Sequence, residues 1–294
     1  MSFASAWGNE QLEHSRPVLR YATLVGVVGG VRSMIPFFVD KAILAGIRRL
    51  NPTLSSVYLP GIGQVIELPG EASSVYQEVF IRKTYRPISP LKPAARILDL
   101  GAHLGFFTIY ASTLSDGARI TAIEANPNTI PLLKANLSRL KGNASVEVRQ
   151  AAIAAEPGTL AFRMHRSKPA HVSGSAARSM EGYPDEEDFC TIHVEAVPFS
   201  GFLSEPIDLL KCDIEGSEFE ILTPDSFRPD RIRQAAVEFH DIGPRAKEFT
   251  ALVGGAMARG YRVFTSEDIP IADLDALARA TDGIVNATQL KFAG

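Results

Sequence analysis

The sequence carries a short glycine-bearing run, DLGAHLG at residues 99–105, whose residue types could hold a ligand. The run follows an apolar stretch and precedes a helical pattern, and open α/β sheets bind their ligands at such strand ends. Gly101 and Gly105 allow a tight turn and a close approach of the backbone to a ligand. Their GxxxG spacing differs from the GxGxxG of a dinucleotide loop, and the lysine of a P-loop is missing. Because Asp99 would repel a phosphate, we expect a cationic ligand without one; the alternative is a plain strand-to-helix turn.

Glu124 lies 25 residues after Asp99, at the end of the next apolar stretch. A carboxylate in that position can accept hydrogen bonds from both hydroxyls of a ribose; the alternative is a solvated glutamate at a strand end. Together with the glycine-bearing run, it predicts S-adenosylmethionine, a nucleoside with a sulfonium and an amino-acid tail but no phosphate. The residues expected around this cofactor are Asp99, Gly101, His103, Gly105, Glu124, Ala125, Ala151, Ala152 and Asp213.

A second group of ionisable residues ends or follows two later apolar stretches. Asp213, Glu215 and Glu218 belong to the first stretch, and Glu238 and His240 belong to the second. Adjacent strands of a sheet lie about 4.8 Å apart, so these side chains can converge beside a methyl donor. We expect His240 to act as the catalytic base, because histidine alone has an unperturbed pKa near neutrality. Asp213 and Glu238 would orient the acceptor hydroxyl, and the alternative for His240 is a structural histidine at a strand end.

The carboxylates after the first stretch allow three interpretations. They could bind Mg²⁺, which prefers oxygen ligands, or they could contact the substrate or the cofactor directly. In the third interpretation Glu215 and Glu218 only stabilise the start of a helix, where negative charge is favourable. We favour direct contact without a metal. His103 is a second candidate base, because it would lie beside the methionine tail of the cofactor.

Seven apolar stretches, most of them separated by helical patterns, must position these groups. We predict strands over 96–100, 119–124, 145–153, 207–213, 234–239, 261–264 and 284–291, with helices over 106–114, 127–140 and 249–259. Alternating strands and helices imply an α/β fold with a largely parallel sheet. Upstream, the residues from 57 onward indicate a hairpin and 74–85 a helix. The polar stretch 163–189 interrupts the alternation; we expect a lid or substrate loop there, or else a solvated excursion.

Several of these motifs, in this order, resemble the FkbM family of S-adenosylmethionine-dependent methyltransferases over residues 53–294. The resemblance implies a Rossmann-like, seven-stranded class I domain that methylates a hydroxyl of a sugar or natural product. An N-methyltransferase and a non-catalytic or membrane-associated binding protein of the same fold are the alternatives. The chain departs from the family at His103, where asparagine is usual, and at Ala125, where proline is common. The matching pieces are ILDLGAHLGFFT (97–108), AIEANP (122–127), AAIA (151–154), IDLLKCDIEGSEFEIL (207–222) and AVEFH (236–240), with EVFIRKTYRPI (78–88) upstream.

The composition excludes several classes of protein. Hydrophobic residues make up 46% of the chain and charged residues 21%, as in ordinary globular proteins. A net charge of −3 gives no electrostatic case for a nucleic-acid partner. The two cysteines lack metal-ligand spacing, which argues against a disulfide framework and fits a reducing cytosol. We therefore expect a cytoplasmic enzyme with a small-molecule or glycan acceptor.

Residues 1–52 lie outside the resemblance and indicate a helical extension. Its apolar stretch 21–39 contains one charge, Arg32, together with three glycines and Pro36. A membrane span needs about 20 apolar residues and disfavours a central arginine, so we do not expect this stretch to cross a bilayer. We retain an ordinary packed helix that covers the acceptor site, peripheral membrane contact through residues 17–50, and pairing of subunits in a homo-oligomer as alternatives.

Overall fold

The computed structural model describes residues 56–59, 62–168, 170–171, 188–284 and 286–294. The extension predicted over 1–52, with its apolar stretch and its proposed membrane contact, lies outside these residues. Among the described residues, no helix is long and apolar enough to cross a bilayer.

A large mixed sheet forms the centre of the fold. Its strands are β3 Arg96–Leu100, β4 Arg119–Glu124, β5 Ser145–Gln150, β9 Leu209–Cys212, β10 Gln234–His240, β11 Arg262–Thr265, β12 Pro270–Ile271 and β13 Ala287–Ala293. Their spatial order is β12-β11-β13-β10-β9-β3-β4-β5. The neighbours from β10 to β5 pair in parallel, whereas β13, β11 and β12 add antiparallel pairs at the other edge. The α/β class with a mostly parallel sheet is confirmed. Seven strands correspond to the predicted ones, and the eighth, β12, is a two-residue edge strand.

The central strands are buried on both faces, which explains their continuous apolar runs. In β3, Ile97 packs into the hydrophobic cluster on one face with Leu209 of β9. The next residue, Leu98, packs into the cluster on the other face with Leu210. This alternation follows from the two-residue period of a strand. Helices cover both faces: α2 Phe106–Ala111, α3 Ile130–Leu137, α4 Glu218–Ile221, α5 Ala246–Ala258 and α6 Leu274–Ala280.

The segment before the sheet, residues 70–88, forms one side of the site; we call it the wall segment. A hairpin of β1 Ser56–Leu59 and β2 Gln64–Glu67 precedes it, as predicted. The wall segment continues through the helix α1, Ser73–Tyr76, into a six-residue π-helical turn, Gln77–Arg82. Lys83 ends that turn in the left-handed region, with φ of 53°, and the chain reverses direction there.

A second, three-stranded sheet was not expected from the sequence. Its strands are β6 Ala152–Ala154, β7 Gly158–His165 and β8 Phe189–Pro198, in the order β6-β8-β7. The predicted strand over 145–153 is therefore wrong in its last residues, because the chain leaves the large sheet after Gln150. The predicted loop over 163–189 begins and ends inside the β7–β8 hairpin. The sequence pattern did not predict β7, because the polar residues Arg163 and His165 occupy buried positions of this strand, where apolar residues are expected.

Candidate active site

The glycine-bearing run turns between β3 and α2 against the end of β9. The N–H groups of Gly101 and Ala102 both donate hydrogen bonds to the Ile123 carbonyl, at 3.0 and 2.9 Å. Gly101 has φ of +73°, and a Cβ atom there would lie 1.8 Å from the carbonyl oxygen of Asp213. A close approach that requires this glycine is thus made to the neighbouring strand end. Gly105, with φ of +79°, packs in the same way against Leu133 of α3.

Asp99 lies beneath the pocket, although we expected it to contact the cofactor. Its side chain is fully buried, and one carboxylate oxygen accepts a hydrogen bond of 2.6 Å from the Thr108 hydroxyl. The other oxygen lies 3.7 Å from the Lys211 ammonium. Lys211 also donates to the carbonyls of Leu100 and Gly101, at 3.2 and 2.6 Å. Asp99 therefore anchors the lysine that holds the glycine-bearing run.

Glu124 stands at the end of β4 and lines the pocket. One of its oxygens accepts the backbone N–H of His103 at 2.7 Å, and the other accepts that of Asn126 at 2.7 Å. Burial raises the pKa of this carboxyl, and the two hydrogen bonds oppose the rise. Each carboxylate oxygen has a second lone pair, so Glu124 can still accept two hydroxyls.

His103 lines the same pocket and is neutral at physiological pH. Burial lowers its pKa to about 4, although its contact with the Ala170 carbonyl opposes the fall. Its Nε2 lies 3.1 Å from that carbonyl oxygen, which can only accept, so the proton resides on Nε2. Its Nδ1 is then an acceptor, and it is buried without a hydrogen-bond partner in the described part of the chain. Because its pKa is so low, the His103 imidazole is a weak base. It is better suited to accept a hydrogen bond from an ammonium group than to abstract a proton.

The ends of β9 and β10 bring the second group of ionisable side chains together, as predicted. Asp213 Oδ2 lies 3.3 Å from the Lys211 ammonium. The Tyr85 hydroxyl reaches both strand ends and lies 2.9 Å from Glu238 Oε2 and 3.2 Å from Asp213 Oδ2. Tyr85 was not among the residues singled out from the sequence. In the sequence, only its position in the segment 78–88, which resembles the family, pointed to it.

His240 is not among the residues that line the pocket, although Glu215 and Asp213 beside it are. Its Nδ1 lies 3.0 Å from Glu218 Oε1, and its Nε2 lies 3.6 Å from Glu215 and 3.9 Å from Asp213. Burial alone would lower its pKa, but the bond to Glu218 and the surrounding carboxylates raise it to about 10. His240 is therefore protonated at neutral pH. The reason for choosing it as the base, an ordinary histidine pKa, does not hold in this environment.

Two carboxyls have pKa values near neutrality instead. Burial, followed by the charge of Asp213, raises the pKa of Glu238 to about 7 and that of Glu215 to about 8. Burial would also raise the pKa of Asp213, but Lys211 and His240 lower it below its usual value. Asp213 is thus ionised at pH 7, whereas Glu238 is present in both its protonated and its ionised form at that pH. Ligand atoms of Asp213, Glu215 and His240 lie within 4.8 Å of one another and could hold a metal ion.

One pocket joins the two groups. It is lined by the glycine-bearing run, the ends of β4, β9 and β10, the start of the second sheet, and the wall segment. Three of the predicted site residues do not line it: Asp99, Gly105 and His240. Those that do are Gly101, His103, Glu124, Ala125, Ala151, Ala152, Asp213 and Glu238.

Comparison with known proteins places the chain in a family. A sequence model of the methyltransferase FkbM domain matches residues 99–263, which is more than half of the chain. The chain belongs to the FkbM methyltransferase family. The matched range runs from Asp99 to β11 and so includes every predicted site residue.

Curated relatives agree with this assignment. The FkbM-family chain is 29% identical over 248 residues to 31-O-demethyl-FK506 methyltransferase FkbM of Streptomyces tacrolimicus, covering 74% of this chain and 93% of the relative. It is 26% identical over 187 residues to Methyltransferase 1 of Beauveria bassiana, covering 58% of this chain and 74% of the relative. Methyltransferase sdnD of Sordaria araneosa is 28% identical over 177 residues, covering 52% and 68% respectively. This FkbM-family protein is therefore a methyltransferase.

Proposed function

We propose that this protein transfers a methyl group from S-adenosylmethionine to a hydroxyl of a small-molecule acceptor, such as a sugar or natural product. The observation that carries the proposal is that a single pocket joins Glu124 and the glycine-bearing run to Glu238 and Asp213. The part of the pocket around Glu124 fits a nucleoside without phosphate, and the part around Glu238 offers a carboxyl that can accept a proton. The name of the Streptomyces tacrolimicus relative supports an oxygen acceptor.

The residues present fit the adenosyl cofactor. Glu124 offers two carboxylate oxygens to the ribose hydroxyls, and Ala125, Ala151 and Ala152 leave room beside it for a flat base. The buried Nδ1 of His103 lacks a donor within the described chain, and the ammonium of the methionine tail would supply one. Lys211 lines the pocket, but Asp99, Asp213 and two carbonyls already engage its ammonium, so it is poorly placed to bind a phosphate.

The chemistry requires a hydroxyl to be aligned and deprotonated. When bound, S-adenosylmethionine supplies an electrophilic methyl carbon; the oxygen–carbon bond forms as the carbon–sulfur bond breaks. Glu238 lines the pocket and, with a pKa of about 7, can accept the hydroxyl proton at neutral pH. Asp213, ionised beside Lys211, would hold the acceptor by a hydrogen bond. His240, which we expected to be the base, would serve instead as a half-buried cation that balances the surrounding carboxylates.

We propose that this transfer needs no metal. Asp213 already has a cationic neighbour in Lys211, and the third potential ligand is an imidazole nitrogen. Magnesium prefers oxygen ligands in near-octahedral geometry, so the donor set of Asp213, Glu215 and His240 suits it poorly. Full activity in EDTA would agree with this proposal, and restoration of activity by Mg²⁺ or Mn²⁺ would contradict it.

The deciding experiment combines binding and turnover. Calorimetry with S-adenosylhomocysteine tests the cofactor half, and a screen of hydroxylated sugars and natural products with methyl-labelled S-adenosylmethionine tests the transfer. We expect micromolar or tighter binding and a labelled methyl ether, identified by NMR. A methylamine product would favour the N-methyltransferase alternative. Absence of any adenosyl binding would instead favour a non-catalytic binding protein of the same fold.

The cellular location and the macromolecular partners of the protein are also proposals. We infer a cytoplasmic enzyme without a nucleic-acid partner, from its net charge and cysteine usage. Peripheral membrane contact through residues 17–50 can be tested by co-sedimentation with liposomes. Self-association can be tested by light scattering of the purified chain.

A further inference from the structure

Tyr85 is the one wall-segment side chain whose hydrogen bonds reach both strand ends of the described site. Its hydroxyl bonds to Glu238 Oε2 at 2.9 Å and approaches Asp213 Oδ2 at 3.2 Å. These partners lie 153 and 128 residues away in the chain. The side chain is 2% exposed, so water does not replace either contact.

The local backbone and packing hold this hydroxyl in place. Left-handed Lys83 ends the π-helical turn, and the N–H and hydroxyl of Thr84 both bond back to the Glu78 carbonyl, at 3.0 and 3.3 Å. The Tyr85 ring packs edge-on against Phe107, with centroids 5.9 Å apart. The phenol is therefore fixed by its surroundings and does not depend on the carboxylates for its position.

Tyr85 has one phenolic proton but two carboxylate neighbours, so it cannot donate a full hydrogen bond to both at once. Asp213 has a second donor, the Lys211 ammonium at 3.3 Å. Glu238 has no lysine or arginine partner among the ion pairs of the described chain, and Tyr85 is its hydrogen-bond donor there, although the nearby His240 cation also lowers its pKa. The phenolic proton thus matters most to Glu238, where it stabilises one carboxylate oxygen and leaves the other oxygen for the acceptor.

From this geometry we infer that Tyr85 is a positioning residue for methyl transfer: its hydroxyl donates a hydrogen bond that favours and orients the Glu238 carboxylate, with one carboxylate oxygen turned to the acceptor hydroxyl. The inference rests on the proposed function for its catalytic meaning, whereas the contact itself can be tested without any acceptor. Burial and the charges of Asp213 and Glu78 favour protonated Glu238, and the His240 cation and the hydrogen bond from Tyr85 oppose them. Loss of the phenolic hydroxyl should therefore raise the pKa of Glu238 and leave the packing of the Tyr85 ring intact.

The test compares Tyr85→Phe with Tyr110→Phe in the full chain. Tyr110 also packs against Phe107, with centroids 6.5 Å apart, but it does not line the pocket. With ¹³C-labelled glutamate carboxyls and saturating S-adenosylhomocysteine, we expect the Glu238 titration midpoint to move to higher pH in Tyr85→Phe only. Glu238→Gln identifies the signal. An unchanged midpoint in Tyr85→Phe would overturn the inference.

Turnover supplies a second readout that a merely structural role would not change. Tyr85→Phe should slow methyl transfer about three- to tenfold at pH 7, the effect of losing one hydrogen bond. The rate should recover towards that of the wild type near pH 9, with unchanged affinity for S-adenosylhomocysteine. A loss that is equal at every pH would contradict the positioning role.

A third measurement covers the case in which Tyr85→Phe fails to fold. The Glu238 charge contributes to the raised pKa of Tyr85, so in Glu238→Gln the Tyr85 ring signal should titrate at lower pH than in the wild type. An unchanged Tyr85 titration would count against the contact. Because these titrations need no turnover, failure of the proposed function would show separately, as loss of adenosyl binding or of methyl transfer.

Discussion

The Lys211 ammonium lies 3.7 Å from Asp99 Oδ1, and the two residues are 4% and 0% exposed. Breaking a buried ion pair by removing one partner leaves an uncompensated charge, which typically costs about 3–5 kcal/mol. We therefore expect Lys211→Met to lower the free energy of unfolding by about that amount. The double variant Asp99→Asn with Lys211→Met should recover part of the loss.

Chemical denaturation measures these changes. Lys92→Met is the matched control, because Lys92 pairs with Asp208 at 3.4 Å from a side chain that is 58% exposed. Such exposed pairs contribute only about 0–1 kcal/mol. If Lys211→Met were no more destabilising than Lys92→Met, the buried pair would not have the anchoring role that we assign to it.

Gly101 is required by the fold. Alanine there would have to accept φ of +73° and place its Cβ atom 1.8 Å from the Asp213 carbonyl oxygen. We expect Gly101→Ala to destabilise the protein by at least about 3 kcal/mol, because backbone strain and overpacking add. Gly201→Ala is the control, since a Cβ atom at Gly201 would meet nothing within 4 Å. Similar melting temperatures for the two variants would contradict this expectation.

Glu124 is expected to determine adenosyl affinity. Glu124→Gln removes the charge but keeps the shape, and charge-assisted hydrogen bonds contribute about 1.5–3 kcal/mol. We therefore expect S-adenosylhomocysteine to bind about 10- to 100-fold more weakly, as measured by calorimetry. Glu147→Gln, at an exposed position of the neighbouring strand β5, should bind like the wild type. Equal affinity of Glu124→Gln and Glu147→Gln would rule out the ribose assignment.

The pH dependence of turnover should report Glu238. Its pKa is raised to about 7, so the ionised, proton-accepting form grows as the pH rises through 7. At saturating cofactor and acceptor, we expect the rate to rise about tenfold per pH unit well below pH 7 and to level off above about pH 8. Glu238→Gln should lose most of the activity and this rise with it. A rate that falls between pH 6 and 8 would exclude a carboxyl base.

Much of the local structure around the proposed cofactor site was predictable from local sequence. The strand, glycine-bearing turn and helix around Gly101, and the carboxylate at Glu124, are encoded by neighbouring residues, because apolar runs and glycines specify their own local structure. The convergence of Asp213 with Glu238 was also predictable, since parallel strands end at the same edge of a sheet.

The sequence could not show which of these groups line the pocket. Asp99 and Gly101 are required by contacts with Lys211 and Asp213, more than 100 residues away, and Tyr85 reaches Glu238 across an even longer separation. The raised pKa of His240 likewise depends on its contact with Glu218, which lies 22 residues earlier in the chain. The pKa of a side chain depends on burial and on nearby charges, and a chain acquires both only when it folds. The amino-acid sequence by itself thus determined the family, the sheet and the residue types at its edge, whereas the tertiary structure decided their burial, their contacts and the direction in which their pKa values shift.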